Sequence, residues 1–167
     1  DYFEGLGKPQ EAGDRYRKNT TNESPEISEN AQLGVMRCLA ATASWGDLAS
    51  LADKIIGGSG ASDRLLMAAY NARGDVKLNK DKKPLDAHLD YLRGVVQLSK
   101  GVESREHEYA LAQAARSAAM YAMSPGTTAE DKNTYRDRAG RLGGELLHFY
   151  RNSVWKDQVK KAIEDIK

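Results

Sequence analysis

The sequence predicts an all-α protein built as an array of helical hairpins, and three observations carry that prediction. Beyond Asn30, apolar residues recur at intervals of three and four, and no strand-like alternation is sustained. Helix-start signals fall near residues 29, 62 and 104 and again near 47, 84 and 128, so hairpins recur at roughly 33 to 44 residues, a period typical of repeat arrays. Within 84–98, Ala87, Tyr91 and Gly94 place a small, a large and a small residue on one stripe, which suits a helix pressed against a neighbour.

Residues 1–28 are polar and broken by Gly5, Gly7, Pro9, Gly13 and Pro25, and they predict an irregular lead-in with one short helix near 2–6. Residues 29–167 then read as a single helical domain. Its first helix is expected over about 29–44, and Asp47 is expected to cap a second that runs to about 56. Gly57 to Gly60 break the chain, and Ser62 caps a third helix carrying Leu65, Leu66, Ala69, Ala72 and Val76. Pro84 suits the first turn of a fourth, which stops at Gly101.

The fifth helix, about 104–123, has seven alanines among the fifteen residues from Tyr109 to Met123, so a partner backbone can approach closely. Thr127 with Glu130 predicts a capping box for the sixth, where Tyr135, Ala139, Leu142, Leu146 and Phe149 form one narrow apolar seam. Past Asn152 and Ser153, the residues Trp155, Val159, Ala162 and Ile166 make the apolar face of a last helix. Its other face is charged, as in a helix that closes the end of a stacked array.

A chain of 167 residues, 40% hydrophobic and 29% charged, is long enough for one domain with a substantial core. Its 25 Lys and Arg against 24 Asp and Glu create no global field for a polyanion, so no nucleic-acid partner is expected. No run approaches the ~20 apolar residues that cross a bilayer, so no membrane span is expected. Cys38 is the only cysteine, which excludes an internal disulfide. Val35, Met36, Leu39 and Ala40 around it predict a buried, inert thiol, and the compartment stays open between cytoplasm and periplasm. Asp1 in place of a methionine predicts a processed product or a piece of a longer chain.

The middle unit, AAYNARGDVKLNKDKKPLDAHLDYLRGVVQL, resembles a tetratricopeptide repeat. Tyr70, Asn71 and Gly74 fall in its first helix, and Ala87, Tyr91 and Gly94 match the small, aromatic and small positions of its second. It departs from the pattern by one extra residue between the helices; the first hairpin lacks the second-helix aromatic, and the third has a longer connection. The resemblance implies a tetratricopeptide-like α-solenoid of about three hairpins with a C-terminal capping helix. The alternative is a six- or seven-helix bundle without a true repeat, since small residues serve any close helix contact.

Residues with catalytic or metal-binding potential are few. His88 lies between Asp86 and Asp90, but residues two apart diverge on a helix, so DAHLD predicts a solvated face. Glu103 and His107 are four apart; Glu145 and His148 have the Glu-x-x-His spacing of di-iron bundles, which need two such pairs and two more glutamates. The basic groups Lys77, Lys80, Lys82, Lys83 and Arg136, Arg138, Arg141 predict solvated surface, because acidic residues interleave both. Gly57 to Gly60 lack the lysine of a phosphate loop, and no cofactor or metal is expected.

These observations favour a non-enzymatic scaffold module that binds a protein or peptide, with a helical-bundle metal protein or enzyme using the Glu/His pairs as the alternative. The tetratricopeptide resemblance implies a concave groove lined by the first helix of each hairpin. It nominates Asn71, together with Tyr109, Gln113 and Arg116, which share a stripe at i, i+4 and i+7.

Overall fold

The computed structural model describes residues 7–97 and 104–166. Among the described residues there are eight helices and no strand: α1 (Pro9–Arg17), α2 (Pro25–Ala41), α3 (Trp45–Gly57), α4 (Asp63–Asn79), α5 (Pro84–Gln97), α6 (Arg105–Ala122), α7 (Ala129–Phe149) and α8 (Lys156–Glu164). Each helix packs on the next along the chain. In addition α2 packs on α4, α4 on α6 and α6 on α8, so the even-numbered helices form a row of their own.

The lead-in is more ordered than the sequence predicts. Pro9 and Pro25 each occupy the first turn of a helix, where a missing N–H costs nothing, so α1 lies inside the expected irregular segment and α2 starts ahead of residue 29. Tyr16 of α1 lies against Gly34 of α2 so closely that a Cβ at Gly34 would fall 2.5 Å from the ring. The short helix expected near 2–6 and the stop expected at Gly101 lie outside the described residues.

Caps account for two further shifts. Helix α3 begins at Trp45 behind Ser44, which leaves Asp47 in the first turn instead of at the cap. Helix α7 is capped by Thr128, whose Oγ1 accepts from the Asp131 N–H at 3.1 Å; Thr127 instead donates to the Tyr121 carbonyl. Thr127/Glu130 and Thr128/Asp131 both fit the capping pattern, and the structure uses the second. Ser62 and Ser104 cap α4 and α6 by accepting from Leu65 N–H and His107 N–H.

One core cluster joins α2, α3 and α4 through Leu33, Leu39, Leu48, Ile55 and Val76; a second joins α4 to α8 through Leu78, Tyr91, Leu111, Leu146 and Val159. All seven alanines of α6 are buried, so this helix sits at the centre of its neighbours. Cys38 is buried as expected. Gly74 of α4 receives the ring of Tyr91 from α5, and a Cβ there would lie 2.6 Å from the ring, so glycine is required for the two helices to meet. On α7, Ala139, Leu142 and Leu146 are buried, but Phe149 at the end of the expected seam is exposed.

The solvated face predicted around His88 is also corrected. His88 and Asp90 are fully buried. Nδ1 of His88 lies 2.9 Å from the Ala114 carbonyl, and burial lowers its pKa. Asp90 accepts from Arg73 at 2.8 Å, Lys77 at 2.6 Å and Arg93 at 2.7 Å. Lys77 is therefore committed to an internal ion pair, not to solvated surface as expected.

Candidate functional site

The row of even-numbered helices borders an open groove of about 600 Å³. Helix α2 contributes Leu33, Met36, Arg37 and Ala40; α4 contributes Ala68, Asn71, Ala72 and Asp75; α6 contributes Arg105, Glu106, Glu108 and Tyr109. Val154 and Trp155, from the turn before α8, complete the wall.

At the groove's base, Asp75 organises three helices through one atom. Its Oδ1 accepts the Tyr91 hydroxyl of α5 at 2.8 Å and the Tyr109 hydroxyl of α6 at 2.7 Å. Burial pushes the Asp75 carboxyl up to about 6, against the lowering effect of the two hydroxyls and of the Arg116 charge. Both phenols are raised in turn, by burial first and by the neighbouring carboxylate second. Tyr109 also meets Trp155 edge to face, with ring centroids 5.2 Å apart.

Of the four residues nominated by sequence, Asn71 and Tyr109 line the groove and Gln113 and Arg116 do not. Asn71 is buried, and its Nδ2 donates to the Glu106 carbonyl at 2.9 Å, fastening α4 to the first turn of α6. Its Oδ1 has no hydrogen-bond partner among the described residues and lies 3.1 Å from where a Cβ on Gly94 would stand. Gln113 is buried and accepts from Arg116 Nη1 at 2.8 Å, so these two hold each other. Burial removes Gln113 from the exposed stripe that the spacing suggested, while Arg116 stays half-buried beside it and outside the groove.

Asp75 and Trp155 are among the lining residues that the sequence did not nominate. Asp75 lies four residues after Asn71 and hence on the same helical face, which is the signal that could have found it. Trp155 reads from sequence only as the apolar face of the last helix, since its place in the groove depends on how α8 docks.

Rim charges are mixed. Glu106 pairs with Arg64 at 3.2 Å, while Arg37, Arg105 and Glu108 complete the rim.

The Glu/His pairs come together only in part. His107 lies 2.9 Å from the Tyr150 hydroxyl, and its pKa is lowered by burial against the raising charge of Glu145. His148 is exposed and stacks edge to face on Phe149, and Glu103 lies outside the described residues. Among the described residues no group of three or more His, Cys, Asp or Glu side chains could hold a metal ion, and no helix is long and apolar enough to cross a membrane.

Compared with known proteins, the chain matches no family model, no curated protein and no solved structure.

Proposed function

We propose that the chain is a tetratricopeptide-like α-solenoid module, with hairpins α2–α3, α4–α5 and α6–α7 closed by α8, and that it binds a protein or peptide segment as a non-enzymatic scaffold. The observation that carries this reading is that the first helix of every hairpin, α2, α4 and α6, contributes to one groove. The packing of each helix on its sequence neighbours, with a separate row of even-numbered helices, supports the repeat architecture. A groove with aliphatic and aromatic walls and a few placed polar groups offers anchors for alternate side chains of a bound segment.

Selection of peptides from a random displayed library against the full chain tests the reading. Ala40→Trp, at a half-buried wall position, is expected to weaken selected peptides about tenfold by filling the groove, and Asp137→Lys on α7 is expected to leave them unchanged. Peptides that bind Ala40→Trp and Trp155→Ala as tightly as the wild type, with helical content preserved by circular dichroism, would overturn it.

A further inference from the structure

We infer that the occupant of this groove presents a lysine side chain whose ammonium seats on Oδ2 of Asp75, with its methylene stem along Tyr109 and Trp155. This rests on the peptide-binding reading and specifies the chemistry of its central contact. Asp75 is a groove-lining carboxylate only 7% exposed, and both of its hydroxyl bonds fall on Oδ1. Among the described residues Oδ2 receives no hydrogen bond, and Asp75 forms no ion pair. Arg116 acts on it only through its charge, being bonded to Gln113.

A buried carboxylate supplied with neutral donors alone carries an unmet demand for positive charge, visible in its pKa of about 6. A cation arriving on Oδ2 would meet that demand and at the same time recover its own lost hydration.

The geometry selects among cations. With Oδ1 saturated, one oxygen is left, which suits the point charge of an ammonium and denies a guanidinium its two-pronged contact. Tyr109, which bonds the other oxygen, and Trp155, which meets Tyr109 edge to face, line the same groove, and aromatic walls attract a cation and cover an aliphatic stem. Met36 and Ala72 extend the apolar lining for the same stem.

The test is a nuclear magnetic resonance titration of the full chain with n-butylammonium chloride as the lysine mimic. n-Propylguanidinium chloride and n-butanol serve as competitors in kind, all at matched ionic strength. The Trp155 indole N–H reports the groove, and Trp45 on α3 is the internal reference. The expected result is a saturable Trp155 shift with butylammonium at millimolar concentration, about tenfold weaker with the other two probes.

Asp75→Asn is expected to remove that preference while keeping the fold, because an amide oxygen can still accept both tyrosine hydroxyls. Equal response to n-butanol, stronger response to propylguanidinium, undiminished ammonium binding by Asp75→Asn, or no saturation with any probe would each overturn the inference. Peptide capture blocked by Ala40→Trp without lysine enrichment removes the lysine and leaves the peptide groove standing. Asp75-dependent ammonium binding without peptide capture upholds the cation seat and removes the peptide.

Discussion

Asp75 and Asp90 are buried aspartates of the same helical hairpin, yet their environments drive them in opposite directions. Burial raises the carboxyl of each as the largest single influence. At Asp75 the donors are two neutral phenols, and the carboxyl stays high, at about 6. At Asp90, bonds from Arg73 and Lys77, the Arg73 charge and a bond from Arg93 outweigh burial and hold the carboxyl below its ordinary value. Arg73 is raised reciprocally, first by its bond to Asp90. The chemical kind of donor thus decides whether a buried acid in this hairpin serves as cement or as an unmet charge.

Substitution sharpens that contrast. The largest expected effect is that of Asp90→Ala, which leaves three cations facing one another; because they are partly solvated, the loss is expected near the low end for broken buried pairs, about 3 kcal/mol in urea denaturation at pH 7. Asp75→Asn is expected to act with the opposite sign, stabilising by about 2 kcal/mol at pH 8, since it removes the cost of a buried anion.

The pH dependence follows from the two directions. Asp75 has a folded-state pKa above its unfolded value of 3.8, so its contribution is fully present below 3.8 and is lost as pH rises through about 6. The advantage of Asp75→Asn should therefore close between pH 7 and 4; a constant gap across that window would show that Asp75 is not the titrating group. Asp90 has the reverse sign: its contribution is present above 3.8 and is lost as pH falls through its lower folded-state value. The smallest expected effect is Asp53→Asn, under about 0.5 kcal/mol in thermal denaturation, because Asp53 is 63% exposed and lies 3.6 Å from Arg73.

The helical class and most helix positions were legible in the sequence because apolar spacing and caps are local signals. Pro84 marks the start of α5, and the same rule places α1 at Pro9 and α2 at Pro25, where surrounding glycine and asparagine read as loop. The fates of His88 and Asp90 were not legible. Spacing within DAHLD describes one helix, whereas their burial depends on α6 covering one side and on Arg73 and Lys77 approaching from α4. Asn71 and Tyr109 line the groove because each lies on the face of α4 or α6 that borders it. Gln113 was misplaced because an alanine-rich helix can bury all round, and then a polar side chain on it is enclosed instead of displayed.

The two hydroxyl bonds on Asp75 Oδ1 tie α4, α5 and α6 at a single atom, and that atom spans the junction between two hairpins. In an array of interchangeable units, one hairpin could be duplicated, deleted or transplanted with only generic apolar surface to match. Here, excision of the α4–α5 hairpin would strand the Tyr109 hydroxyl, and insertion of a foreign hairpin after α5 would require a tyrosine at the matching position. The α4–α5 hairpin and α6 are therefore a matched pair, and exchanging either one without the other breaks their shared contact.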